Sequence, residues 1–499
     1  NGTYILAADL DFTASFSEAV TITGTPRIEI TLTSGTVYAD YLSGSGTSSI
    51  IFRYTTTSTD LDSDGIVLTS PIELNSGTIL DANGNSSGLT YSLPNTTLIN
   101  IDAVIPSISS VTTPSNGTYI LGDDLDFTVN LSDSVDVSGA PRIAITLGSG
   151  TVYADYLSGT GTSALVFRYT VAASDEDTNG IAVVSPIDLN SGTLQDANDN
   201  DITLTFTPPV TSLINIDGVV PSITSATTVS NGTYKIGDNV NFIIGYDENI
   251  TVTGTPRIPI TIGSGTVYAN YASGSGSSSI TFTYNVLASN LDTNGISINT
   301  TIDLNSGTLS DSAGNNADLT FTDPGTTGIL IDGVISTISS LNASANGTYI
   351  PTQNLTFTAN FSESVAIVGT PRIAITLNSG VVYADYVSGS GTSSIVFEYT
   401  IQINDSDGNG IGLPAAISLN SGTIKDTSGN DANLTFADPG VSGILVDGIV
   451  PSISSITAPA DSTYMESTNL DFTVNFDDVV NTTGLPRLVL SLSLIHISE

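Results

Sequence analysis

Leu125-Asp126-Phe127-Thr128-Val129-Asn130-Leu131 alternates apolar and polar side chains with a period of two. That is the pattern of a strand with one face on a core and one in water. The residues around it repeat the pattern. Ile143, Ile145 and Leu147 alternate in the same way, and Gly148-Ser149-Gly150 then predicts a hairpin turn into a strand over 151–156. Leu165, Phe167, Tyr169 and Val171 form a further alternating run with Arg168 facing out. Shorter strands are expected at 181–184, 202–206 and 213–216, with a first strand at 107–111. No stretch carries a 3.6-residue apolar period. About eight short antiparallel strands in a unit of this size predict an all-β, immunoglobulin-like β-sandwich, with a small barrel as the alternative.

The unit is repeated. Tyr4, Tyr119, Tyr234, Tyr349 and Tyr464 are spaced 115 residues apart, as are Arg27, Arg142, Arg257, Arg372 and Arg487. So long a period fits a whole small domain rather than one turn of a solenoid. The sequence therefore divides into repeats at 1–103 (entered after its first strand), 104–218, 219–333, 334–448 and a truncated fifth at 449–499. The junctions, such as Ile216-Asp217-Gly218-Val219-Val220-Pro221, are short, and their Pro favours extended backbone before it. They predict stiff joints and an extended monomeric string. Opening within a repeat, the sequence is read as a segment of a longer chain. From about residue 493, Ser-Leu-Ile-His-Ile-Ser-Glu departs from the repeat and is read as foreign, so His496 carries no functional weight.

Composition excludes whole classes of function. The chain has no Cys or Trp and one His, which removes disulfide frameworks, Cys/His zinc sites and repeated Ser-His-Asp machinery. Its net charge of −40 arises from 49 acidic residues against only nine bases. Such a field repels nucleic acid and attracts divalent cations. No apolar run reaches the ~18 residues of a membrane span. No nucleophile or apolar pocket pattern suggests an enzyme.

Two loop families carry candidate chemistry. The first is Asp60-Leu61-Asp62-Ser63-Asp64-Gly65, repeated as Asp175, Asp177, Asn179; Asn290, Asp292, Asn294; and Asp405, Asp407, Asn409, each set ending at Gly. Alternate oxygens before a sharp Gly turn suit a hard cation such as Ca²⁺. Glu73, Asp188 and Asp303 downstream are candidates for further oxygens. The same letters also describe an Asx-rich turn without metal. The second family is Asn75-Ser76-Gly77-Thr78…Asp81-x-x-Gly84-Asn85 and its copies ending at Asn200, Asn315 and Asn430. Hairpin architecture is the expected reading there, with a second cation site as the alternative. Asp102, Asp217, Asp332 and Asp447, at the junctions, either share an ion with a neighbouring loop or end a strand.

The Pro-Arg pairs (Pro26-Arg27 and its copies) account for five of the nine bases. In so base-poor a chain each Arg is expected to pair with a carboxylate or stack on a Tyr of its own repeat; ligand recognition is the alternative. Tyr38 and Asp40 share one strand face and Tyr41 takes the other; packed aromatics are the expected reading of the two Tyr, with a sugar-stacking platform as the alternative.

The Asp-x-Asp-x-Asp-Gly loop at 60–65, the Asp-x-x-Gly-Asn turn at 81–85 and the Asp-containing junctions resemble the tandem immunoglobulin-like repeats of large bacterial surface adhesins and cadherin-like extracellular proteins. Asp196-Ala197-Asn198-Asp199-Asn200 is similar to the cadherin junction motif. The resemblance implies Ca²⁺-stiffened extender repeats at the cell surface, projecting a binding tip outside this segment toward a host or neighbouring-cell ligand. The alternative function is a multivalent glycan- or protein-binding module.

Overall fold

The computed structural model describes residues 1–491, so the tail expected to be foreign, with His496, lies outside the described residues. Among the described residues regular structure is β-strand alone, and no helix is long and apolar enough to cross a membrane. The chain is a tandem array of immunoglobulin-like β-sandwiches.

In the repeat at 104–218 the strands are β1 (Ile108–Thr112), β2 (Gly117–Ile120), β3 (Asp124–Ser138), β4 (Arg142–Leu147), β5 (Gly150–Ser158), β6 (Thr162–Thr170), β7 (Glu176–Asp177), β8 (Ala182–Val183), β9 (Thr193–Gln195) and β10 (Ile214–Asp217). The larger sheet runs β1-β3-β6-β5-β4-β8, and β9 pairs with β3 off that path. The smaller sheet is β2-β10-β7. Strand β3 belongs to two neighbours in turn. Residues 124–130 pair with β6, the register shifts between Asn130 and Val135, and residues 136–138 pair with β9. A bulge of this kind bends the strand and lets one segment serve two pairings.

The alternation seen in the sequence is what buries the core. Leu125, Phe127 and Val129 of β3 meet Ile143 and Ile145 of β4, Leu165 and Phe167 of β6, and Ile214 and Ile216 of β10 in one cluster drawn from both sheets. Phe127 and Phe167 lie opposite each other across the β3–β6 ladder and are fully buried, each contributing about 1.5–3 kcal/mol through burial. Tyr156 packs edge-on against Phe167 at 5.9 Å. Corresponding cores centre on Phe52, Phe242 and Phe282, and Phe357 and Phe397.

Two expectations need correction. Residues 202–206 are not a strand; Thr203 makes an isolated bridge to Ser107, and Ile202 and Leu204 make single backbone hydrogen bonds with Leu194 and Ile187. Pro208 and Pro209, which lack N–H donors, follow after Thr207 and end any pairing beyond it. Nor are all pairings antiparallel. β2, too short to alternate legibly, runs parallel to β10, with Ile120 beside Asp217.

In the repeat at 1–103 the larger sheet has no strand in the place of β1. Phe12, Ala14 and Phe16 are therefore only half-buried there, whereas Phe127, Val129 and Leu131 are buried. Beyond residue 448, Ile453–Thr457 pairs with Thr473–Phe476.

Candidate functional site

The parallel pairing of β2 and β10 has a geometric result. Both strands end at the same edge of the repeat, so the Leu121 N–H and the Asp217 carbonyl emerge side by side. The next repeat fills that edge with one side chain. Asn315 accepts a hydrogen bond from Leu121 N at Oδ1 (2.9 Å) and donates from Nδ2 to the Asp217 carbonyl (2.9 Å). Its second amide hydrogen goes to Asp311 Oδ2 of its own turn (2.8 Å), and its backbone N–H goes to Asp311 Oδ1 (2.9 Å). Every polar atom of the amide is thus satisfied. A side-chain amide presents the donor–acceptor pair of a peptide unit, so Asn315 continues the ladder of one repeat from within the next.

The same atoms form the other two joints. Asn200 takes Leu6 N (3.1 Å) and gives to the Asp102 carbonyl (2.8 Å). Asn430 takes Ile236 N (2.9 Å) and gives to the Asp332 carbonyl (2.9 Å). All three Asn are at most 4% exposed. Asn85, the counterpart in the repeat at 1–103, keeps the bonds within its turn (2.7 Å to Asp81 Oδ2) but is exposed. Around this clamp, Asn198 Nδ2 donates to Asp102 Oδ2 (2.7 Å), and Ser428 Oγ donates to Asp332 Oδ2 (2.6 Å).

Carboxylates converge at the same joints. Asp332, Glu363 and Asp426 bring one oxygen each within 4.8 Å of one another, combining the end of a strand, the bulge of the long strand Asn354–Val368 and the turn that carries Asn430. Burial, then the charges of Asp426 and Asp332, holds Glu363 above the usual carboxylate range. At the preceding joint Glu248 is raised by burial and then by Asp311 and Asp217, and Asp217 itself is raised by burial and by Asp311. Three mutually repelling carboxylates with oxygens within 4.8 Å of one another are a hard-oxygen donor set of the kind that Ca²⁺ takes.

The Asp-x-Asp-x-Asp loops are arranged differently. Their first residues, Asp60, Asp175, Asn290 and Asp405, accept from the hydroxyls of Tyr54, Tyr169, Tyr284 and Tyr399, and the backbone N–H three residues before each donates to the same side chain at 2.7–3.0 Å. Their third residues, Asp62, Asp177, Asp292 and Asp407, reach the other way. Each accepts from the first hairpin-turn N–H of its own repeat, on Thr33, Gly148, Gly263 and Asn378, at 2.8–3.0 Å. The fifth residues, Asp64, Asn179, Asn294 and Asn409, are exposed. The loop thus staples two parts of one repeat together, and its first and third side chains are used by different donors. Asp62 Oδ1 is buried without a partner. The Gly that ends each loop has φ near +100°, and a Cβ on Gly65 or Gly180 would collide with the backbone of Thr97 or Ser212.

Glu73, Asp188 and Asp303 do not supply oxygens to those loops. Each accepts from the Nε of Arg27, Arg142 or Arg257 at 2.8 Å. The same guanidinium groups lie over Tyr38, Tyr153 and Tyr268 at 3.6–4.0 Å. Pairing and stacking thus occur together. Sequence reasoning missed the Asn of the second turn as the joint residue, because the partners it meets lie 194 and 98 positions away.

No family model matches the chain, and no curated protein does. Among solved structures the chain is similar to a marsupial T cell receptor at 9% identity and a TM-score of 0.16, covering 63% of this chain and 98% of that chain.

Proposed function

We propose that this chain is an extender segment of a large extracellular bacterial adhesin, a non-enzymatic stalk stiffened by Ca²⁺ that projects a binding tip carried elsewhere. The observation that supports this reading is the identity of the three joints, each closed by one buried Asn amide on the same two backbone groups of the repeat before it. A repeated domain held at one fixed joint serves length and direction rather than chemistry. Asp332, Glu363 and Asp426 are the residues that would hold the cation, together with their counterparts Asp217, Glu248 and Asp311. When bound, the ion supplies charge neutralisation between adjacent repeats.

The test is small-angle scattering and thermal melting of the whole chain, in chelator and in millimolar Ca²⁺. The expected result is a longer maximum dimension and a higher melting temperature with Ca²⁺, both weakened by Glu363→Gln with Glu248→Gln. An indifferent wild-type chain would remove calcium from the reading. A chain that is compact and flexible in both conditions would remove the stalk.

A further inference from the structure

Across the repeats the charge partners of one arginine position change together, and those of a second do so with one exception. Arg53 and Arg168 pair with Asp9 and Asp11, and with Asp124 and Asp126. Where the third repeat has Thr283 in place of that Arg, the two Asp have become Asn239 and Asn241; where the fourth has Glu398, they are Asn354 and Thr356. The exception is Arg372. It keeps its stack on Tyr383 (3.7 Å) and its backbone bridge to residue 418 (2.8 and 2.9 Å), but that residue is Ser418 where the other repeats have Glu73, Asp188 and Asp303. Arg372 Nε is left buried with no acceptor.

A second donor faces the same place. In the repeats with Asp188 and Asp303 the carboxylate also accepts the backbone N–H of Asn190 or Asn305, at 2.9 Å. Neither this bond nor the Arg Nε bond has a counterpart at Asn420 and Arg372 among the described residues. The seat is at the surface, since the carboxylates that fill it elsewhere are 40–45% exposed and Ser418, Asn420 and Tyr383 are exposed. A buried N–H of a cation without an acceptor is unfavourable, and a planar carboxylate matches two converging donors.

We infer that the fourth repeat carries a carboxylate-binding site, formed by Arg372 Nε–H and the Asn420 N–H beside Tyr383, which takes from a ligand the carboxylate that the other repeats supply from their own chain. Asp385, paired with Arg372 across the ladder, competes electrostatically, so binding is weak, and a single site in a chain of net charge −40 suits one exposed carboxylate, such as that of a uronic acid or an acidic peptide side chain, rather than a polyanion.

The experiment uses the whole chain labelled with [¹⁵N]arginine, which gives seven Nε–H resonances, and Arg372→Lys assigns the one of interest. Acetate, glucuronate and N-acetylaspartate are titrated against sodium chloride at matched ionic strength. The expected result is a saturable shift of the Arg372 resonance with the carboxylates alone, with Arg142 unmoved. The lower of the glucuronate and N-acetylaspartate midpoints names the source, sugar or peptide. Ser418→Asp should move the Arg372 resonance toward that of Arg142 and weaken the response at least tenfold. No saturable shift, an equal shift with chloride, or a response surviving Ser418→Asp would each overturn the site. None of these outcomes depends on calcium or on the joints.

Discussion

Replacing Asn315 by Ala tests whether the joints are held as the structure indicates. The change removes the acceptor of Leu121 N–H and the donor to the Asp217 carbonyl. At a net 0.5–1.5 kcal/mol per hydrogen bond, the joint loses about 1–3 kcal/mol. Native-state hydrogen exchange of the whole chain reads this directly. The Leu121 amide should exchange about 5- to 160-fold faster, while the amides of Phe242 and Phe282 in the core keep their protection. Asn315 also braces its own turn through Asp311, so Asn85→Ala is the control. It removes the same internal bond to Asp81 without touching another repeat, and Leu121 exchange should not respond to it. If Asn315→Ala leaves Leu121 exchange unchanged, or if Asn85→Ala accelerates it equally, the clamp is not what fixes one repeat on the next.

Other outcomes follow from the same geometry. Gly180→Ala combines an unfavourable positive φ with a backbone collision and should destabilise its repeat by about 2 kcal/mol or more, read by melting. Asp177→Ala strands Gly148 N–H and should cost about 1–3 kcal/mol in calcium-free solution, read by denaturant unfolding. Arg168→Thr alone should lower the melting temperature, and adding Asp124→Asn with Asp126→Asn, the set found at Thr283, Asn239 and Asn241, should restore most of the loss. The pH response has two limbs. Glu363 is raised above its ordinary 4.5, so its repulsion weakens stability at neutral pH and is relieved as pH falls through its folded value toward 4.5. Asp126, held below 3.8 mainly by its hydrogen bond from Arg168, stabilises above its ordinary value and loses that contribution as pH falls through its lower folded one. Melting followed in chelator should therefore rise on mild acidification and fall below about pH 4; a monotonic fall from pH 7 would contradict the strained joint.

The strands with both a dry and a wet face were legible in the sequence, because burial imposes the period that Leu125, Phe127 and Val129 display. β2 and β7 were not, since Gly117–Ile120 and Glu176–Asp177 are too short to show a period. The Asp-rich loops illustrate a chemical ambiguity. Alternate oxygens before a Gly serve a cation or a pair of backbone donors equally well, and only coordinates show Asp175 and Asp177 turned toward different partners. The turn Asn was hidden for another reason. Asn85 and Asn315 sit in near-identical local sequences, yet one is exposed and the other buried in a joint, so the distinction lies in what the neighbouring repeat brings. Arg27 and Glu73 were singled out separately, and it took the strand pairing to join them.

The uniform 115-residue spacing bears on how such a gene changes length. Each joint takes its carbonyl and N–H from one repeat and its Asn from the following one, always at the same positions. Excising residues 219–333 would bring Asn430 to the Leu121 N–H and the Asp217 carbonyl, which are the groups Asn315 now meets. Unequal recombination that adds or removes whole periods therefore re-forms the same Asn clamp at the new joint. Copy number can then change without loss of the clamp, while a deletion out of phase by a single residue would, where it fell within a strand, move the rest of that strand's core side chains to the solvent face.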